Sequence, residues 1–382
     1  MGILLQTVYF RLLCLSLNAG IDANRARAEE LICNNKINWD DLYRAAEIHA
    51  VRPQIFGLLQ LLSPGLVPQV MLARLGVAVK ENQFKQLSHL AEYFSIKEML
   101  DEAGIRAIPF KGFALEAFYN DLSERESADV DLFIYAGDLE KIRHLMFSRG
   151  YKAEAPLGEL TDEYILGKLC EYNFDKYEGS TRTFHFEMHW RPGMTSLGMN
   201  IILSDLETHI RPVQIQNRPV EIFSPTAQLL LLIMHHGGKD QFLQLKQILD
   251  ISRIISEDAE IDWHWVGAMA DKYHLQKLLY IGLNMASLLT GVPIPCAVRI
   301  KANCKDIQIM ATKRICRLEG RRRNNTTGAL FQDFTFNLRA RTNNKLRLRM
   351  IGTVVRSTLI PKLIPAKFHH YFFNKKIRQE VI

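Results

Sequence analysis

Apolar positions recur at helical spacing through the first hundred residues, and that period predicts helices. Asn38-Trp39-Asp40-Asp41 reads as an N-cap with an acidic first turn, leading into Leu42, Ala45, Ala46, Ile48 and Ala50. The style continues over Val51 to Leu62 and Val70 to Leu100, until Gly104 stops it. At Ile105 the pattern changes. Ile105 to Phe110 is an apolar run of strand length, Lys111-Gly112 a sharp turn, and Phe113 to Tyr119 a short helix. Val130 to Tyr135 predicts a second strand, and Leu139 to Phe147 a helix after Gly137-Asp138. Glu171 to Tyr177 and Thr183 to Trp190 read as an antiparallel hairpin around Glu178-Gly179-Ser180. A second hairpin is expected to turn at Asn217-Arg218, between Val213-Gln-Ile215 and Val220-Glu-Ile222. Ser224-Pro225 then looks like a cap with proline at the first helical position. Thr226 to His236 follows as a strongly apolar helix stopped by Gly237-Gly238, and Gln241 to Ile255, Trp263 to Tyr273 and Leu275 to Leu289 are helical. The pattern predicts an α+β protein: a helical lobe over 1–103, a mixed core over 104–223, a second helical lobe over 224–310 and a basic helical tail over 311–382.

Composition narrows the class. Hydrophobic residues at 48% and charged ones at 23% are ordinary for a packed domain, which excludes disorder, collagen-like repeats and a multi-span membrane protein. The uncharged stretch between Lys277 and Arg299 is long enough on paper to span a bilayer. Asn284, Ser287 and Gly291-Val-Pro293-Ile-Pro295 interrupt it, so it reads as a buried helix and a loop. Met1 to Leu17 is apolar but carries Gln6 and Arg11 and lacks a basic start, a poor signal peptide. Cys14, Cys33, Cys170, Cys296, Cys304 and Cys316 show no paired or zinc-like spacing and read as reduced thiols of a cytoplasmic protein.

Charge is uneven along the chain. Residues 311–382 hold 17 Lys/Arg against Glu319, Asp333 and Glu380, a local +14 in a chain of net +7, so the rest sums to −7. Phe331, Phe334, Phe336, Phe368, Tyr371, Phe372 and Phe373 are interleaved with these cations. Three readings fit: a helical lobe with a solvated basic face, peripheral contact with an anionic membrane surface, or contact with a polyanion.

The middle section carries the candidate chemistry. Asp129-Val130-Asp131 opens a strand, so its two carboxylates share a face about 7 Å apart between Cα atoms. Two acids so placed call for a cation, and Mg²⁺ takes carboxylate oxygens together with substrate phosphates. A pair of such ions can clamp both the attacking and the leaving oxygen of a phosphoryl displacement. Upstream, the strand–Lys111-Gly112–helix turn offers backbone amides and a cation to a triphosphate. Arg125, between the two elements, is either a phosphate contact or a neutraliser of Glu124 or Glu126. His235-His236 reads as cationic histidine at a helix C-terminus, where the dipole favours it, or as an acceptor or nucleotide contact. Asp250 reads as a solvated or paired carboxylate, His189 as a ligand or a hydrogen-bonded strand residue, and Trp263 and Trp265 as core and rim aromatics.

Phe110-Lys111-Gly112-Phe113-Ala114-Leu115, then Tyr119, Arg125 and Asp129-Val-Asp131-Leu132-Phe133-Ile134, resembles the nucleotidyltransferase fold of the DNA polymerase β superfamily. The chain is most similar to the bacterial family of uncharacterised nucleotidyltransferases and more distantly to aminoglycoside nucleotidyltransferases. Asn38-Trp-Asp-Asp41, His49-Ala-Val51, Gly150-Tyr151, Glu187-Met-His189-Trp190, Ser224-Pro225 and His235-His236 fall in that family's order, so the resemblance covers roughly Trp39 to Pro295. It implies transfer of a nucleoside monophosphate from an NTP such as ATP to an unknown acceptor, with release of pyrophosphate. Asp129 and Asp131 would be metal ligands. Gly112 matches the second position of the superfamily's Gly-Gly or Gly-Ser pair, with Lys111 in the first. Glu187, where the superfamily more often has Asp, would be the third carboxylate of a two-Mg²⁺ site or the base for the acceptor hydroxyl. Alternation puts His185 and His189 on the same face as Glu187. Two other functions fit the same sequence: an inactive nucleotidyltransferase fold used for binding or scaffolding, or a membrane- or nucleic-acid-associated factor acting through 311–382.

Overall fold

The computed structural model describes residues 7–18, 21–119, 121–155, 157–256, 260–320 and 327–359. Four helices open the chain: α1 (Val8–Ser16), α2 (Ile21–Cys33), α3 (Trp39–His49) and α4 (Arg52–Gln60). Asn38 caps α3, its side-chain oxygen accepting from the amides of Asp40 and Asp41. The 34-residue α5 (Gln69–Glu102) follows and runs about 50 Å at 1.5 Å per residue. Its length joins two cores. Met71 and Leu75 pack with α1–α4 and the C-terminal helices, whereas Leu90, Tyr93, Ile96 and Leu100 pack on the sheet.

The mixed sheet is built from β1 (Ala107–Pro109), β2 (Val130–Ile134), β3 (Lys152–Ala153), β4 (Glu171–Glu178) and β5 (Thr181–His189). Their order is β1-β2-β5-β4-β3, with β2 and β5 parallel and the other pairs antiparallel. Helices α6 (Leu139–Ser148) and α7 (Asp162–Lys168) join β2 to β4; α7 and the short β3 were not evident from the pattern. Gly112 to Phe118 coils as a 3-10 segment where the sequence suggested a helical turn over 113–119. The second hairpin, β6 (Ile210–Ile215) and β7 (Arg218–Phe223), turns at Gln216-Asn217, one residue earlier than expected. Both turn residues have positive φ, the geometry that matches the twist of a two-residue hairpin.

Helix α8 (Pro225–Leu232) does not stop at Gly237-Gly238. It continues as a π-helical turn over Ile233–Lys239 that takes both glycines inside. A Cβ on Gly237 would strike the ring of Phe242, and one on Gly238 would strike Met199. These glycines are therefore close-packing positions rather than a cap. The remaining helices are α9 (Leu245–Ile255), α10 (Trp263–Lys272), α11 (Gln276–Thr290), α12 (Arg299–Ala302), α13 (Lys305–Glu319), α14 (Thr327–Ala340) and α15 (Asn344–Leu359). The stretch after Lys277 is indeed a buried helix, ended by Gly291 in the left-handed region.

Helix α13 runs unbroken across position 310, and its Ile315 and Leu318 join the main core. Ala340, Leu346 and Met350 are buried too, and Asp333 is gripped by Arg314 at 2.7 Å and Arg317 at 3.0 Å. The described part of the basic segment is thus a helical lobe packed on the body. Phe331 stands exposed on it, whereas Phe368, Tyr371, Phe372 and Phe373 lie outside the described residues. Among the described residues no helix is long and apolar enough to cross a membrane.

Candidate active site

The parallel pair β2–β5 sets the frame. Asp131 is the register partner of Glu187, which faces Asn173 on β4 across its other edge. One step on, Phe133 meets His189, and His189 meets Glu171. Alternation leaves Leu132, Phe186 and Met188 in the apolar core and turns Asp131, His185, Glu187 and His189 to the opposite face. Asp129, half-buried, lies two residues before Asp131 at the mouth of β2, and Ser127 Oγ donates to its Oδ1 at 3.1 Å.

Gly112 makes the approach possible. Its φ is +60°, and a Cβ there would come within 3.3 Å of the Asp129 carbonyl oxygen. A left-handed backbone and a close neighbour both require glycine. Helix α5 holds the segment ahead of Asp129 through a buried polar stripe. Asn82 donates to the carbonyls of Ser123 (3.0 Å) and Arg125 (3.2 Å), and Gln86 to that of Ser127 (3.0 Å). Arg52 locks Glu126 from the other side through Nε at 3.1 Å.

The cations sit among the acids. Lys111 is buried, and its Nζ donates to Asp131 Oδ1 at 2.6 Å and to His235 Nε2 at 2.9 Å. Burial opposes its charge, but Asp131 and then Glu187 outweigh burial and raise its pKa. It is therefore bound within the carboxylate cluster rather than extended toward a phosphate. His189 Nε2 lies 3.1 Å from both Asp131 Oδ1 and Glu187 Oε2. Its Nδ1 is 3.2 Å from Glu171 Oε2, near enough for ion contact though out of line for a hydrogen bond. Lys239 donates to Glu171 at 2.8 Å. His185 pairs with Asp175 at 2.6 Å and reaches Glu187 at 3.3 Å. Burial would neutralise Glu187, but Lys239, His185 and His189 together hold it ionised, its pKa well below the usual carboxylate range.

Two expectations are corrected here. Arg125 contacts neither Glu124 nor Glu126 through its side chain. Its Nε and Nη2 clasp Asp250 at 2.8 and 2.9 Å, and the pair is buried. Asp250 also accepts from Tyr119 at 2.7 Å and lies 3.0 Å from His236 Nε2, so it is the hub of a buried network. The histidines are not cations at a helix end. Both are buried, and burial first, then Lys111, pushes His235 down to about 3. Burial lowers His236 as well.

Other members of the site gave no signal in the sequence. Lys239 and Glu171 are brought in by the π turn and β4. The charge of Asp129 reaches exposed Lys85 on α5 and half-buried Lys246 on α9, two cations free of any motif.

The residues fit a divalent cation. Asp131 Oδ2 is buried and has no hydrogen-bond partner among the described residues, an arrangement that asks for a proton or a metal. Asp131, Glu187 and His189 offer ligand atoms within 4.8 Å of one another. A second cluster, His235, His236 and Asp240, is less suited. Because His235 Nε2 accepts from Lys111, the ring proton sits on Nδ1, facing Asp240 Oδ2 at 3.3 Å.

The profile of the family described as uncharacterised nucleotidyltransferases matches residues 35–291, two-thirds of the chain. The chain belongs to that family. No curated protein matches it. The match takes in β1–β7, the Asp129–Asp131 segment, Glu187 and the π turn, so nucleotidyl transfer is the general chemistry of the part that holds the cluster. Helices α12–α15 lie beyond it. In this nucleotidyltransferase the lysine before Gly112 is paired with a carboxylate of the cluster.

Proposed function

We propose that this nucleotidyltransferase moves a nucleoside monophosphate from an NTP, ATP in the first instance, to an acceptor hydroxyl. The acceptor hydroxyl gives its proton to solvent water as its oxygen attacks the α-phosphorus, the α–β bridge breaks, and pyrophosphate leaves with the bridging oxygen. One observation carries the reading: Asp131 and Glu187 are register partners on adjacent parallel strands, with Asp129 at the mouth of the same face. Asp129, Asp131 and Glu187 would hold Mg²⁺, which when bound neutralises charge on phosphoryl oxygens. Glu187, kept ionised by its neighbours, suits a ligand better than a proton acceptor. Lys85 and Lys246, which feel the charge of Asp129, would be the cations to counter the triphosphate, and Gly112 keeps the turn clear of side chain. Arg125 acts at a distance, fixing the segment before Asp129 through Asp250. Positioning and neutralisation would supply most of the rate, as in other phosphoryl transfers.

A second reading rests on Lys111. An ammonium 2.6 Å from Asp131 already answers one carboxylate, as in a fold retained for nucleotide or partner binding alone. Calorimetry and turnover separate the cases. Asp129→Asn combined with Asp131→Asn should weaken Mg²⁺-ATP binding at least tenfold, and unchanged affinity would overturn the metal assignment. Labelled ATP incubated with the chain, Mg²⁺ and a lysate should give a nucleotidylated acceptor by mass spectrometry. Binding without any such product favours the second reading.

A further inference from the structure

Arg341 follows α14, outside the residues the family profile matches. Its side chain is fully buried, with 0% of the residue exposed. Among the described residues Nε, Nη1 and Nη2 have no hydrogen-bond partner. Other buried arginines of the molecule behave differently: Arg125 clasps Asp250, and Arg314 clasps Asp333. Burial alone acts on Arg341, lowering it only to about 10, so it stays a cation at neutral pH with no carboxylate to answer it. The head group lies against the π turn. A Cβ placed on Gly238 would come within 3.0 Å of Arg341 Nη2, and Met199 fills the space alongside. Next in the chain is Lys239, which holds Glu171 beside His189.

A guanidinium is a rigid fork of donors matched to a planar or tetrahedral oxyanion. Left bare in the interior, it keeps its desolvation penalty uncompensated. The neighbour that has to give way is a methionine, the most adaptable of apolar side chains. We infer that Arg341, with the Gly238 backbone opposite and Met199 as the movable wall, is a binding site for an oxyanion, a phosphate or carboxylate group of a ligand, delivered by the C-terminal helices to the edge of the nucleotidyltransferase core. The site stands whether or not Asp129 and Asp131 hold a metal.

The test uses the full chain in chloride buffer with EDTA, so that a metal site contributes nothing. Inorganic phosphate, pyrophosphate and acetate are added in separate titrations. At least one should raise the melting temperature, and equilibrium dialysis with labelled phosphate or acetate should show one saturable site per chain. Arg341→Met should melt higher than the parent in chloride alone and lose the response. Arg341→Lys keeps the charge without the fork and should weaken the dialysed binding about tenfold. This variant and the parent dialysis decide the matter if the methionine variant does not fold. Metal-free ATP that displaces labelled phosphate assigns the site to the nucleotide's own phosphates. ATP that leaves it in place assigns the site to an anionic acceptor. A parent chain that binds none of the three anions, or an Arg341→Met chain that binds them as well as the parent, overturns the inference. Neither result bears on Mg²⁺-ATP binding at Asp129 and Asp131, which is measured separately.

Discussion

Lys111 shows how far a single residue is legible. Its place before Gly112 at the end of β1 follows from the apolar run and the turn, because both are local. Its partner does not. Asp131 is twenty positions on and His235 lies across the other lobe, so only the packed sheet and π turn say that the ammonium points inward. The same holds for Arg125, whose acid is 125 residues away in α9 and not among its neighbours in sequence. By contrast, the face shared by His185, Glu187 and His189 is set by a two-residue period and needs no tertiary knowledge. The Lys111–Asp131 pair is buried on both sides, 7% and 1% exposed, so removing Lys111 leaves a buried carboxylate without its closest cation and with only His189 beside it. Lys111→Met should therefore destabilise the chain by about 3–5 kcal/mol at pH 7. The loss should shrink at pH 5, where Asp131 more readily takes a proton. Urea unfolding at the two pH values measures it, and a loss under about 1 kcal/mol, the range of exposed pairs, would show that the pair is not formed. Nucleoside and triphosphate affinities should change alike in this variant; a loss confined to the triphosphate would return Lys111 to the phosphates.

Elements were legible where one rule governed them and misread where two competed. Glycine after an apolar helical run is an ordinary stop signal, which is why α8 seemed to end at Gly237-Gly238. The packing of Phe242 and Met199 needs both positions bare, and tertiary contact wins. Gly237→Ala meets an aromatic ring buried on all sides, whereas Gly238→Ala meets the flexible end of Met199. Both should destabilise within the 1–3 kcal/mol usual for overpacking, Gly237→Ala the more, and the reverse order in chemical unfolding would contradict this account of the π turn. Helix α5 is the second case. Its length was evident, but no local pattern marks the polar stripe Asn82, Gln86 and His89, which is buried against the sheet and the Asp129 segment. His89 packs beside Phe184, and burial, reinforced by Lys85, pushes its pKa down to about 4. The unfolded chain takes a proton at this ring near pH 6.5, but the folded chain does so only near pH 4. Stability contributed by the neutral ring is complete above pH 6.5 and is lost as pH falls through that window, with a slope of up to about 1.4 kcal/mol per pH unit for one proton. His89→Gln should flatten the stability profile between pH 6.5 and 4 by that proton. An unchanged slope would mean that His89 titrates freely in the fold.

At the scale of the whole molecule, α5 and the two cores explain why helical, mixed and helical stretches in sequence become one body. The N-terminal helices and α8–α13 share a core, and α5 links that core to the sheet. The basic segment divides. Residues 311–320 and 327–359 pack on the body, their cations partly answered by Asp333, so a truncation ending at Met310 would cut through α13 and expose the core. The surface reading now rests on the composition of 360–382 alone, and is open to test there: Lys362, Lys367, Lys375, Lys376 and Arg378 stand against Glu380, with Phe368, Tyr371, Phe372 and Phe373 between them. Each cation near an anionic leaflet is worth about 1 kcal/mol, fading within a Debye length of about 8–10 Å at moderate salt. Four net charges suffice for recruitment at low salt, and the aromatics add a part that salt does not remove. The full chain should co-sediment with phosphatidylserine-containing vesicles at low salt and not with neutral ones, retaining a smaller bound fraction at high salt. A chain ending at Leu359, which keeps every helix of the described residues, should stay in the supernatant under all four conditions while melting like the parent. Circular dichroism and melting come first, to show that the shortened chain is folded. If both chains sediment alike, the terminal residues do not bring the enzyme to a membrane, and the excess charge serves the packed lobe alone.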